Sequence, residues 1–197
     1  TTSVVSATTV IAATTVIAQR MATGLDSFAL LAIPFFILSG QLMNRGGIAR
    51  RLIELAKVIV GRLPGGLAYV NVLASMLFGS ISGSAVAAAA AIGGFMGPLM
   101  KREGYDREFS ASVNISSAVT GLLIPPSNIM VIYSLASGGV SIAALFVAGY
   151  VPGILLGLAL MAVAAVIAII RGYPVGEKVA FGDSVEIFFS VLPSLLL

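Results

Sequence analysis

Two long stretches of this chain contain no Asp, Glu, Lys or Arg: Leu63 to Met100 and Phe109 to Ile170. A membrane-spanning helix needs about 20 consecutive apolar residues, so the second stretch can hold two spans. A mean hydropathy of +1.08 and a charged fraction of only 10% point the same way. The chain therefore reads as an all-α polytopic membrane protein. Both stretches are interrupted by residues that suit a helix interior poorly. The first carries "GSISGSAVA", Gly79 to Ala87, and the second "LLIPPSNIM", Leu122 to Met130. Irregular backbone at membrane depth is tolerated only where protein buries it or a watery cavity hydrates it.

The charges order the topology. Arg45, Arg50, Arg51, Lys57 and Arg62 form one basic cluster, Lys101, Arg102 and Arg107 a second, Arg171 and Lys178 a third. Basic loops face the cytoplasm, which puts all three clusters on one side. Ser27 to Asn44 is then a span, stopped by Gly46-Gly47. Ile48 to Gly61 is amphipathic and is expected along the inner surface. Residues 1–19, rich in Thr, Ser and Ala, read as the end of an earlier helix. Leu63 to Met100 must start and finish on the cytoplasmic side. Two arms of about 16 residues reach roughly 24 Å, short of a hydrocarbon core about 30 Å thick. The segment is expected to be a re-entrant hairpin with its tip at Gly79–Ser84. From Phe109 the chain rises, broken at Pro125–Asn128, to a turn at Ser137–Ser141. It returns as a long helix ending at Arg171, and a further helix starts near Phe181. Asp26 reads as an interface anchor, and Met76, Met96, Met100 and Met130 as packing residues. "KREGYDREF", Lys101 to Phe109, reads as a solvated turn. Thr1-Thr2 at the start and an apolar end make the chain look like part of a longer one.

Several chemistries are excluded. The sequence has no Cys and no His, which removes thiolate metal sites and the commonest general base. With no Lys inside the spans, the serines lack a base for nucleophilic catalysis. No phosphate-binding glycine-lysine motif occurs. A net charge of +3, spread over loops, reports topology rather than nucleic-acid binding.

The proline joint can be argued by atom. Pro125 and Pro126 lack N–H groups, so the carbonyls of Gly121 and Leu122 lose their partners four residues on. Ile124 is pushed out of helical geometry. Free carbonyls at the negative end of a half-helix suit a desolvated cation such as Na⁺. Ser80 and Ser82 are the hydroxyls expected to complete the shell. Ser127 and Asn128 suit the N-cap of the next half-helix, and Ser82 and Ser84 that of the second hairpin arm. Both half-helices then aim positive dipole ends at one cavity, which favours a carboxylate. Paired discontinuous helices point to a midplane site in a secondary transporter. A cation channel with a carbonyl-lined site is the alternative reading.

Four stretches give a family resemblance: "GLDSFALLAIPFFILSGQLMNRGGIARRL", "LPGGLAYVNVLASMLFGSISGSAVAAAAAIG", "MKREGYDREFSASVN" and "LLIPPSNIMVIY". From about Gln19 onward the chain resembles the large membrane subunit, DctM or M-type, of tripartite ATP-independent periplasmic (TRAP) transporters. The resemblance implies an elevator-type fold with inverted repeats, of which this chain is similar to the first. It implies a Na⁺ site on Ser80, Ser82, Gly121, Ile124 and Pro125, and substrate contacts at Ser82, Gly83, Ser127 and Asn128. It implies a small Q-type membrane subunit and a periplasmic substrate-binding protein as partners. The location implied is the bacterial inner membrane, and the cargo an organic anion. Ala88 stands where many relatives carry Asp, and "IPPSNIMVIY" with "SGGVSIAALF" leans toward sugar acids such as sialic acid over C4-dicarboxylates. The expected units are scaffold and arm helices at 1–62, hairpin and broken helix at 63–137, a long span at 138–172, and a loop leading into another helix at 173–197. The second half-site lies outside this chain.

Overall fold

The computed structural model describes the backbone of residues 2–25 and 28–176, with Ile187 and Val191. Side chains are described there except at residues 2–8, 24, 25, 28–32, 36 and 44. The expected anchor Asp26 and the start of a helix near Phe181 lie outside the described residues.

Nine helices follow in order among these residues: α1 Thr2–Leu25, α2 Phe28–Arg45, α3 Ile48–Val60, α4 Gly66–Ser82, α5 Ala85–Arg102, α6 Arg107–Ala118, α7 Thr120–Leu123, α8 Asn128–Ala136 and α9 Ile142–Arg171. Of these, α9 alone is long and apolar enough to cross a membrane by itself. α6–α7 and α8 make a second candidate span, bent by 52° at the prolines. The region read as the end of an earlier helix is thus a helix reaching Leu25, its side chains from Thr9 to Thr23 exposed.

α3 is amphipathic as its sequence requires. Ala49, Leu52, Ile53, Leu55 and Ala56 are buried, while Arg50 and Arg51 stay exposed. Spacings of three and four put the apolar residues on one face. That face packs chiefly on α4. The turn explains it: Gly65, at φ +73°, starts α4 directly beneath α3. α4 is buried along nearly its whole length and forms, with α5, the hairpin at the centre of the core.

Close packing around α4 depends on missing side chains. A Cβ on Gly79 would lie 2.2 Å from Gly121 Cα, and one on Gly121 would lie 2.8 Å from Gly79 Cα. Here α4 and α7 cross backbone to backbone. On α9, Gly149, Gly153 and Gly157 recur every fourth residue and form a bare stripe. Added Cβ atoms there would meet Met130 Cε at 2.4 Å, Ile124 Cγ1 at 2.6 Å and Met76 Sδ at 2.3 Å. The joint and two of the expected packing methionines are therefore seated on α9.

A buried polar cluster ties α4 to α6. Ser117 Oγ lies 3.3 Å from Asn71 Oδ1 and 3.1 Å from Ser75 Oγ, and Thr120 Oγ1 donates to the Ser117 carbonyl at 2.6 Å. At the opposite end of the hairpin from its tip, the charged turns meet. Tyr173 Oη donates to Asp106 Oδ2 at 2.7 Å, and Arg171 pairs with the same oxygen. Tyr173 stacks on Tyr105 with ring centroids 4.3 Å apart. Gly65 N–H donates to the Pro174 carbonyl at 3.1 Å. Arg171 of the third basic cluster thus lies beside the turn that carries the second, and Lys178 lies outside the described residues.

Two outcomes follow. Gly79→Ala forces a methyl into a neighbouring backbone and should lower stability by about 1–3 kcal/mol. Gly94→Ala, where an added Cβ meets nothing within 4 Å, should be neutral or stabilising. Equal melting midpoints for the two variants would refute the crossing. The Tyr173 hydroxyl and then Arg171 hold the Asp106 carboxyl below its ordinary value of 3.8. A depressed carboxylate stabilises the fold above that value, and the stabilisation is lost as pH falls through the folded-state value. The melting difference between the native chain and Asp106→Asn should therefore be present at neutral pH and shrink below about pH 4. A difference that is constant from pH 7 to pH 3 would contradict the pairing.

Candidate ion and substrate site at two helix breaks

The hairpin turns within two residues. α4 remains helical through Ser82, Gly83 takes φ +62°, and Ser84 is extended at φ −135°, ψ 117°. The Gly83 N–H closes the helix on the Gly79 carbonyl at 2.8 Å. This corrects the expected tip: Gly79 to Ser82 are helical, and the break is Gly83–Ser84. The left-handed conformation is cheap only for glycine. Ser84, not Ser82, caps α5, accepting from Ala87 N–H at 3.3 Å. Ser82 lies at the end of α4 with its hydroxyl accepting from Ser84 N–H at 3.4 Å.

The proline joint has the expected shape. Ile124 is extended at φ −80°, ψ 122°, and Ser127 at φ −134°, ψ 123°. The Pro125–Pro126 peptide is cis. Ser127 caps α8, accepting from Met130 N–H at 3.4 Å. Asn128 is the first helical residue rather than a cap. Because Pro125 and Pro126 carry no N–H, the Gly121 and Leu122 carbonyls have no helical donor four residues on.

The two breaks meet. Asn128 N–H donates to the Gly83 carbonyl at 3.3 Å. A Cβ on Gly83 would sit 2.8 Å from the Pro126 carbonyl oxygen. Ser82, Ser127, Ile124 and Pro125 are all buried. Asn128 Oδ1 is buried and accepts no hydrogen bond from the protein. An orphaned acceptor in a buried site is costly and marks a place for a ligand. The helix ends converging here carry both polarities: α4 and α7 end in carbonyls, and α5 and α8 begin with N–H groups.

The proposed ion residues divide in position. Ser82, Ile124 and Pro125 lie at the junction of the breaks. Gly121 is one turn deeper, at the crossing with Gly79. Ser80, next to that crossing, already donates its hydroxyl to the Leu77 carbonyl at 2.8 Å, which leaves its oxygen lone pairs for a cation. Among the described residues, no group of three His, Cys, Asp or Glu side chains could hold a multivalent metal. The junction offers neutral oxygens.

Sequence reasoning missed the contribution of α2. A Cβ on Gly40 would lie 3.2 Å from Ser82 Cβ. Beside this contact, a cavity of about 440 Å³ opens between α2 and the tip, with Gln41, Ser84, Ala87 and Ala90 among its lining residues. Gln41 lies within the stretch read as a span, and no local pattern links it to Ser84. Ala88 is fully buried and would lie 3.9 Å from a Cβ on Gly121, so this position is filled by packing.

Comparison with known proteins gives the family. The family model described as "Tripartite ATP-independent periplasmic transporter, DctM component" matches residues 1–197. The uncharacterized protein YgiK of Salmonella typhimurium is 60% identical over 91% of this chain and 41% of its own length. The sialic acid TRAP transporter permease protein SiaT of Haemophilus influenzae is 46% identical over 79% of this chain and 25% of its own length. The C4-dicarboxylate TRAP transporter large permease protein DctM of Pseudomonas aeruginosa is 46% identical over 80% of this chain and 37% of its own length. The chain thus spans less than half the length of these relatives. With its whole length matched by the family model, this chain belongs to the DctM family, a component of tripartite ATP-independent periplasmic transporters.

Proposed function

We propose that the chain is the first repeat of a permease that couples Na⁺ entry to uptake of an organic anion across the bacterial inner membrane. The observation that carries this reading is the hydrogen bond from Asn128 N–H to the Gly83 carbonyl, beside the unpartnered Asn128 Oδ1. It joins two irregular backbones into one buried polar locus. Proline-freed carbonyls, with Ser80, Ser82, Gly121, Ile124 and Pro125, supply the oxygen-rich side that suits Na⁺. The capped starts of α5 and α8, with Ser82, Gly83, Ser127 and Asn128, supply the side that suits a carboxylate. Adjacent opposite charges strengthen one another's binding, which couples the two cargoes.

Transport then follows an elevator mechanism. The hairpin enters the membrane from the cytoplasmic side and turns back at Gly83–Ser84. The hairpin and the broken helix move as a transport domain against a scaffold that includes α2, with α3 as the connecting arm. The inverted second repeat completes the site. A Q-type subunit braces the scaffold, and a periplasmic binding protein delivers the anion. A sugar acid such as sialic acid is the favoured cargo, with a C4-dicarboxylate next. The relatives named for these two cargoes are equally similar to this chain at 46% identity, so the choice rests on the motifs around the joint.

The test is counterflow uptake by the reconstituted full complex, screened over sugar acids and C4-dicarboxylates with and without a Na⁺ gradient. Uptake that requires Na⁺ is expected. Pro125→Ala restores an N–H that can capture the Gly121 carbonyl, and should raise the half-activating Na⁺ concentration about tenfold, or about 1.4 kcal/mol. An unchanged Na⁺ curve overturns the ion assignment. Asn128→Ala removes a contact to a charged cargo and should raise half-saturation on the order of tenfold or more. Unaltered half-saturation would remove Asn128 from the substrate site.

A further inference from the structure

A groove of about 850 Å³ runs between α5 and α6. Ala90, Gly94 and Gly97 line it on α5, Ser110 and Asn114 on α6, and Lys101 and Arg107 at its charged end. Ala90 also lines the 440 Å³ cavity that holds Ser84 and Gln41 at the tip. The two spaces therefore flank one face of α5, from the hairpin tip to the basic turn.

The charges of that turn are sorted in space. Lys101 and Arg107 line the groove, and no acidic residue does. Glu103 lines a different cavity with Lys57. Glu108 lines another, beside Ile170 and Arg171. Asp106 is held by Tyr173 and Arg171. A sequence stretch that reads as a mixed, solvated turn thus presents an uncompensated positive mouth. Such a mouth attracts anions and repels cations.

The groove also contains a polar atom in want of a ligand. Asn114 donates through Nδ2 to the Ala89 carbonyl at 3.0 Å, yet its buried Oδ1 is unpartnered. A small-residue floor, an amide oxygen and two cations suit a hydroxylated carboxylate in transit.

We infer that this groove is the release path of the organic anion to the cytoplasm, with Lys101 and Arg107 as the receiving charges. The inference rests on the transport function proposed above and deepens it. Release proceeds from the tip along the α5 face past Ala90, Gly94 and Gly97 to the basic mouth. The glycines keep the floor low enough for a cargo wider than a single ion.

The chain itself contains no Cys, and added Cβ atoms at Gly94 and Gly97 meet nothing within 4 Å. Gly94→Cys and Gly97→Cys are therefore placed singly in a cysteine-free version of the full reconstituted permease. Melting midpoints confirm that each variant folds. A membrane-impermeant thiol reagent is applied from the cytoplasmic side, with Na⁺ and either sialic acid or succinate, or with Na⁺ alone. Both positions should react, and the transported anion should slow the reaction several-fold. The Lys101→Gln, Arg107→Gln double variant should slow counterflow about tenfold, and Lys101→Arg with Arg107→Lys should restore it. Labelling that ignores the anion, or double-variant counterflow at the native rate, overturns the release path. If the native complex moves neither anion, the proposed function fails instead; if it moves one and the double variant matches it, only this inference fails.

Discussion

A backbone carbonyl or N–H without a partner is costly in an apolar interior, by several kcal/mol where nothing can hydrogen-bond. Most of this fold follows from that constraint. The described helices satisfy it along their length, and the gaps at Gly83–Ser84 and at Ile124–Ser127 interrupt them. Those two gaps do not lie apart. They are brought together, so that Asn128 N–H finds the Gly83 carbonyl, while Ser84 and Ser127 cap the helices that follow. Beside these bonds the buried Asn128 Oδ1 is left without a partner, and the carbonyls that two prolines deprive of a helical donor lie within the turn next to it.

Bringing two irregular backbones so close requires the helices behind them to approach closely too. Gly79 and Gly121 permit this one turn below the junction. Gly149, Gly153 and Gly157 let α9 lie against Leu123, Ile124 and Met76. Lipid supplies no hydrophobic drive between helices, so packing and interhelical hydrogen bonds hold them. The Asn71–Ser75–Ser117 cluster is such a set of bonds. At the charged end, Asp106, Tyr173 and Arg171 fasten the α5–α6 turn to the end of α9. The junction is therefore supported on two sides by contacts that leave little room for rearrangement.

Much of this was legible in the sequence, for identifiable reasons. Charge-free length located α4, α5 and α9, and proline chemistry located the joint and predicted the extended Ile124. Gly83–Ser84 was read too broadly, as Gly79–Ser84. In "GSISGS" the pattern does not say which glycine takes positive φ, and only the contact with Gly121 shows why Gly79 stays helical. The same ambiguity gave Ser82 a capping role that belongs to Ser84. The fourfold spacing of the α9 glycines was a readable packing signal. The Asp106–Arg171 pairing was not, because sixty-odd residues separate its members (|i−j| = 65) and Asp106 sits among other charges.

The chain belongs to the DctM family, and its two helix breaks meet at one buried polar junction. The proposed coupling rests on the claim that both breaks make one locus of two polarities. The most direct test is a high-resolution density map of the full complex prepared with Na⁺ and its transported anion. The account predicts an ion within coordination distance of the Ile124–Pro125 carbonyl region. It also predicts anion density touching Gly83–Ser84 and Ser127–Asn128. Continuous helix through residues 124–127, or both ligands bound away from this junction, would contradict it.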